Sequence, residues 1–237
     1  MCTVTFVCSG NKKIITSNRD EQVIRQAIEP KKYLVGNKNI TFPKDPKAGG
    51  TWYAVDEFGN VLVLLNGAAE KHEWHPPYRK SRGIILLDIL SAKVPSEMWN
   101  QIDLDNIEPF TLVLFQNHAD LFQMRWDGNQ KSTVVLNPDE NHIWSSATLY
   151  PKEIREKREK WFAKFMDGRT SVSEDDLFQF HRYTKKDNSE NGLVIDREGF
   201  LKTISITQTI INADAIVMKH FDLVDNITSE TAFTTSS

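Results

Sequence analysis

Met1-Cys2-Thr3-Val4-Thr5-Phe6-Val7-Cys8, a turn at Ser9-Gly10-Asn11-Lys12-Lys13, and Ile14-Ile15-Thr16-Ser17-Asn18-Arg19-Asp20-Glu21 open the chain. Two short runs rich in β-branched residues around a Gly-Asn turn are the pattern of a β-hairpin. Because the second strand runs back along the first, the hairpin brings the beginning of the chain beside the polar cluster Asn18-Arg19-Asp20-Glu21. With Met1 removed, Cys2 would carry a thiol and a free α-amine on one residue. An α-amine, of reference pKa about 7.7 to 8.0, can take the thiol proton directly or through a water, so such a residue holds its own nucleophile and base. Alternation places Cys2, Val4, Phe6 and Cys8 on one strand face and Thr3, Thr5, Val7 and Ser9 on the other. Cys8 is therefore expected in the core, and pattern alone reads Cys2 as a small apolar strand residue too.

Composition bounds the rest. A chain of 237 residues with 40% hydrophobic and 26% charged residues is ordinary globular material, and a layered α/β protein of this size can be one domain. We expect a single domain over residues 1–225 and a polar, Ser/Thr-rich, disordered tail over 226–237. The net charge of -3 offers no domain-wide basic field for nucleic acid. The best apolar run, Gly83 to Leu90, contains Asp88 and is far shorter than the roughly 18 residues of a membrane span. The first residues lack the basic segment of a signal peptide, so a soluble, cytoplasmic protein is expected. Cys2 and Cys8, on one strand, would lie roughly 20 Å apart, beyond the reach of about 7 Å that a disulfide allows.

Further along, residues 22–50, punctuated by Pro30, Pro43, Pro46 and Gly49-Gly50, read as a long irregular connection. Hairpins are expected at Trp52 to Val55 with Val61 to Asn66, and at Thr111 to Phe115 with Asp120 to Trp126, followed by a strand at Ser132 to Leu136. Consecutive hairpins imply a meandering antiparallel sheet. Asn66 closes a strand before Gly67, where its amide can point into an opening. His72 and His75 stand three apart among carboxylates, but Pro76-Pro77 breaks any helix that would align them, and no metal or cofactor is expected. Arg79, Lys80 and Arg82 at the start of an apolar helix, Ile84 to Leu90, could favour an anion, although Arg79 and Lys80 read equally as solvated surface cations. A strand at His142 to Ser146 precedes a helix opened by Pro151, on which Ile154, Trp161, Phe162 and Phe165 form the apolar side and Lys, Arg and Glu the solvated one. Another helix, Glu174 to Phe180, is capped by Ser173. Strands then follow at Leu193 to Ile195, Leu201 to Ile211 and Ala215 to Leu223.

Met1-Cys2, Ser17-Asn18-Arg19-Asp20-Glu21, Gly49-Gly50-Thr51-Trp52 and Asn66 together resemble the NRDE-motif, or transport and Golgi organisation, family, which is placed beside the N-terminal-nucleophile hydrolases. The resemblance covers most of the first ninety residues well and the remainder loosely. It implies an α+β fold, a four-layer αββα sandwich of two mainly antiparallel sheets; pattern reasoning alone does not choose this over a one-layer α+β fold. It further implies a cysteine amidohydrolase cleaving a non-peptide C–N amide of a small metabolite. Cys2 would be the nucleophile, Asp20 would hold its amine or thiol, Arg19 would favour the thiolate by its charge or bind a substrate carboxylate, and Asn66 would donate to the oxyanion. Asn18, Trp52, Arg82 and Ser146 would contact the substrate. In the cholylglycine and penicillin V acylase branch that the family resembles, a second asparagine ends a later strand, and here Ser145-Ser146 take that place. An arginine there lies three residues before the aspartate, a position held here by Ser17. The competing class is a non-catalytic carrier on the same scaffold, its ligand a lipid, an acyl-CoA-like molecule or haem. Substrate and oligomeric state are not legible.

Overall fold

The computed structural model describes residues 3–212 and 215–233, and Cys2, the expected nucleophile, lies outside the described residues. In chain order the elements are β1 (Thr3–Ser9), β2 (Lys12–Gln22), a 3-10 turn (Val23–Arg25), β3 (Ile28–Val35), β4 (Lys38–Lys44), β5 (Tyr53–Asp56) and β6 (Val61–Asn66). Helices α1 (Arg82–Leu90) and α2 (Pro95–Gln101) follow, then β7 (Phe110–Gln116), β8 (Asp120–Trp126), β9 (Lys131–Leu136) and β10 (His142–Ser145). The chain continues through α3 (Lys152–Met166), α4 (Glu174–Tyr183), β11 (Asp196–Arg197), β12 (Leu201–Ile211), β13 (Ile216–Asp222) and β14 (Ile227–Phe233). Two compact units divide the described residues: one takes those up to Gln26 and from Asp139 to Phe233, the other Ala27–Pro138.

The first unit is built on a sheet of order β10-β1-β2-β12-β13-β14, with β11 paired to β12. Its opening hairpin runs from the pair Ser9 with Lys12 back to Thr3 with Asn18, closed by Gly10 at a φ of +58° that a glycine adopts without strain. Side-chain alternation along β1, β2 and β12 turns Val7, Ile14 and Ile210 toward Phe162 of α3 and Leu177 and Phe180 of α4, and these residues form the unit's apolar cluster with Val172 and Leu193. The α4 start is a reciprocal capping box: Ser173 Oγ accepts from Asp176 N at 3.1 Å while Asp176 Oδ2 accepts from Ser173 N at 3.0 Å.

Four expectations change here. Cys8 is half-buried rather than core, its Sγ 3.0 Å from Lys13 Nζ, because its opposite number across the hairpin is a lysine that reaches Asp139. Arg158, counted on the solvated side of α3, is wholly buried. Leu193 to Ile195 is not a strand: Leu193 N donates to Thr184 O and Ile195 N to the Thr203 hydroxyl, so the segment's apolar side chains serve the core without a ladder. Residues 227–233, expected in a disordered tail, form β14 against β13, and their polar composition fits an exposed edge strand.

The second unit's sheet follows chain order, β3-β4-β5-β6-β7-β8-β9, the meander that consecutive hairpins imply. Residues 22–50 are not an irregular connection but contain the β3–β4 hairpin, turning at Gly36 with φ +60°. The prolines are accommodated locally: Pro30 falls within a register irregularity of edge strand β3, and β4 pairs β5 only at Ile40 and Thr41, so Pro43 lies beyond that ladder. Between Leu90 and Thr111, where no element was expected, α2 begins with Pro95 at its first position and buries Trp99. The start of α1 meets the Gly49-Gly50-Thr51 segment backbone to backbone. A Cβ on Gly50 would lie 2.5 Å from Gly83 C, and one on Gly83 would lie 2.6 Å from Thr51 O. Only glycine fits at either position.

Candidate active site

The polar end of β2 is sorted by strand alternation. Asn18 and Asp20 turn toward the helices, and Arg19 turns to the opposite face. Asn18 was expected to touch substrate. Instead its amide is saturated inside the first unit: Nδ2 donates to His181 O at 3.2 Å and Leu193 O at 2.6 Å, and Oδ1 lies 2.5 Å from His181 Nδ1. His181 Nε2 lies 2.8 Å from Thr5 Oγ1 on β1. With Asn18 and Thr5 at its two ring nitrogens, the buried imidazole stitches β1 and β2 to α4. Its pKa is pushed down to about 3, first by burial and then by the charge of Arg158, so the ring is neutral.

Asp20, 2% exposed, accepts from the Tyr150 hydroxyl at 2.7 Å on one oxygen and from the Thr203 hydroxyl at 2.5 Å on the other. Arg19, equally buried, donates from Nη1 to Arg25 O at 2.7 Å, which ties β2 to the 3-10 turn. Ser146 is buried just beyond β10, whose last residue, Ser145, pairs with Thr3; its carbonyl accepts from Tyr150 N at 3.1 Å. The first unit thus gathers Asn18, Arg19, Asp20 and Ser146 around the end of β1, where the described residues begin.

Trp52, Asn66 and Arg82 belong to the second unit. Trp52 is buried, and its carbonyl accepts from Leu64 N at 2.9 Å. Asn66 ends β6 opposite Phe110, half-buried beside the Gly67 turn. Arg82 does not present an open cation: it pairs with Glu108 at 3.0 Å and donates to Pro109 O at 3.2 Å. Its neighbours are likewise partnered, Arg79 with Asp103 at 3.1 Å and Lys80 with Asp88. The anion site expected from three cations is thereby matched by three carboxylates of the same unit. His72 lies 3.3 Å from Glu108 and exposed His75 lies 3.3 Å from Glu73, and no group of three or more potential metal ligands occurs among the described residues.

Sequence reasoning missed the residues that hold this end of the first unit. Tyr150, Arg158, His181 and Thr203 come from a loop, two helices and a distant strand, and none stands in a recognisable spacing. Only Arg158, falling on the apolar stripe of α3 with Trp161, Phe162 and Phe165, carried a signal in its position.

The model of the Transport and Golgi organisation 2 family matches residues 1–219. The chain belongs to that family. No curated protein sequence is significantly similar to it. Among solved structures, the Transport and Golgi organisation 2 chain is similar to a Caenorhabditis elegans N-acylethanolamine-hydrolyzing acid amidase ortholog, with a TM-score of 0.61 and 11% identity over 87% of this chain and 92% of that one. It is similar to penicillin V acylase from Agrobacterium tumefaciens, with a TM-score of 0.58 and 8% identity over 97% and 85% of the two chains. A variant of the conjugated bile acid hydrolase from Clostridium perfringens matches with a TM-score of 0.56 and 9% identity over 99% and 98%. These neighbours are N-terminal-nucleophile hydrolases, and at such identities they establish a shared fold: α+β, two antiparallel sheets with few helices. No helix among the described residues is long and apolar enough to cross a membrane.

Proposed function

We propose that this family member is an N-terminal-nucleophile amidohydrolase acting on a C–N amide of a small, non-peptide metabolite, with Cys2 as nucleophile once Met1 is removed. In the reaction the sulfur adds to the amide carbonyl, the thiol proton passes through the α-amine to the departing nitrogen, and an amine leaves. Water then cleaves the thioester, releasing the acid and restoring the thiol. Arg19 and Asp20 set the charge around the thiol and amine. Asn66, as oxyanion donor, and Trp52 enter the proposal through the sequence resemblance, as does the cytoplasmic location. The observation that carries the reading is the hairpin register. It pairs Thr3, the residue after Cys2, with Asn18, directly before Arg19 and Asp20, on a fold shared with amide-cleaving enzymes.

The second reading is a carrier of a lipid, acyl-CoA-like or haem ligand. It is favoured by Asn18, whose amide serves the protein's own packing, and by Ser145-Ser146 at the place of the acylases' second asparagine. Intact mass of the purified protein comes first, since retention of Met1 removes the amine and with it the mechanism. An electrophilic amide mimic should then label Cys2, and Cys2→Ala should abolish both labelling and amide turnover. Stoichiometric ligand binding that survives Cys2→Ala, with no turnover by the parent protein, would establish the carrier instead.

A further inference from the structure

Arg158 is the largest buried charge in the first unit, wholly inaccessible, with no carboxylate within ion-pair distance among the described residues. Its guanidinium carbon lies 3.5 Å from the centroid of the Tyr150 ring. Nη1 donates to Thr3 Oγ1 at 2.5 Å, Nη2 donates to Gly192 O at 2.5 Å and more weakly to Asn191 O at 3.3 Å, and Nε has no partner. Burying a guanidinium against neutral acceptors is costly, because no opposite charge offsets its lost hydration. Packing alone would be better served by methionine or leucine. What the guanidinium does that they cannot is hold two things at once: the side chain of the residue next to Cys2, and the ring whose hydroxyl is bonded to Asp20.

The second half of the chain of contacts is as specific. A cation on a phenol ring face is attracted by the ring quadrupole, and Arg197 adds another guanidinium 5.4 Å from the same centroid. Withdrawal of electron density by these cations strengthens the Tyr150 hydroxyl as a donor. With Thr203 on its other oxygen, the Asp20 carboxylate is fixed at both ends and cannot turn.

We propose that Arg158 and Tyr150 are positioning residues that set the end of β1 against Asp20, Arg158 through the Thr3 hydroxyl and Tyr150 through the carboxylate. This rests on the amidohydrolase reading in that Cys2 and Asp20 must act together. Neither residue is catalytic: each works through a neighbour.

The test uses full-length protein shown by mass to lack Met1. Iodoacetamide alkylation of Cys2 and Cys8 is followed by peptide-resolved mass spectrometry as a function of pH, with Cys8 as internal reference. For the wild type, Cys2 should titrate below the ordinary thiol value of about 8.5. In Tyr150→Phe, which removes one oxygen, the Cys2 rate near neutral pH should fall about tenfold and its midpoint return toward the ordinary value, as expected when the carboxylate that orients the Cys2 amine and thiol is released. The Cys8 rate should not change. Arg158→Met should act in the same direction and Arg158→Lys should recover part of the loss. Wild-type Cys2 reacting as an ordinary thiol would sink the amidohydrolase reading itself. Activated wild-type Cys2 with an unchanged profile in Tyr150→Phe would overturn the positioning role alone. Should the Tyr150 and Arg158 variants fail to fold, Thr3→Val against Thr3→Ser decides, since only serine keeps the hydroxyl that accepts from Arg158: only the valine should slow Cys2, and equal rates reject the proposal.

Discussion

His181 lies wholly inside the first unit as a neutral ring, its pKa pushed down to about 3 by burial and by the charge of Arg158. In the unfolded chain the same imidazole has a pKa of about 6.5. Below that value the unfolded state binds a proton that the folded state refuses, so the unfolded state binds more protons and stability falls as pH falls. The loss grows by roughly 1.4 kcal/mol per pH unit between the unfolded and folded pKa values and levels off below the folded one. By about pH 4 it amounts to about 3 kcal/mol, a large share of the roughly 5 to 15 kcal/mol that holds a domain folded. Carboxylates with lowered pKa also weaken the fold in acid: Asp196, chiefly through the Lys202 ammonium; Asp176, through the Ser173 backbone; and Glu174, through its own backbone N–H. The His181 contribution is therefore isolated as a difference. Urea unfolding of the wild type and of His181→Gln should show the variant less stable near neutral pH, by about 1 to 3 kcal/mol for the disturbed bonds to Asn18 and Thr5. That deficit should shrink by about 3 kcal/mol on going to about pH 4, because glutamine does not titrate. Stability curves that stay parallel over the acid range would refute the reasoning, since they would mean the imidazole is protonated equally in both states.

Three further outcomes are expected. Gly83→Ala drives a Cβ to 2.6 Å from Thr51 O, so it should lower stability by about 1 to 3 kcal/mol or more, read by thermal unfolding, and Gly50→Ala should behave alike. Lys38→Met removes the partner of Asp56, a 2.9 Å pair with side chains 7% and 0% exposed, and should cost about 3 kcal/mol in urea. A double-mutant cycle with Asp56→Asn should show the two losses to be strongly non-additive. Ser173→Ala opens the capping box and should cost about 1 kcal/mol in chemical denaturation; Ser173→Asn should restore most of it.

Local chemistry made much of the architecture readable. The opening hairpin, strands β5 to β9 of the second unit's meander, α1, α3 and α4 all declare themselves through alternation, turn residues and caps, signals that act over a few neighbouring residues. Where the reading failed, a local cue was answered by a distant partner. Pro30 and Pro43 argued against strands, yet one falls in an edge-strand irregularity and the other beyond the ladder with β5. The Ser/Thr-rich stretch at 227–233 lacked any strand signal of its own and is ordered by the free edge of β13.

Residue type and order by themselves determined that Thr3, at the described start of β1, lies opposite Asn18 of the Asn-Arg-Asp-Glu cluster in one hairpin, since a two-strand register follows from its turn. Only the tertiary structure decided what each motif residue does inside the protein. Asn18 is given to His181, Asp20 to Tyr150 and Thr203, Arg19 to Arg25 O, and Arg82 to Glu108. The reason is physical. A buried polar group must find its partner wherever the packed chain brings one, and Asp20 and Thr203 are 183 positions apart in the sequence but face one another on the neighbouring strands β2 and β12, a proximity no spacing rule encodes.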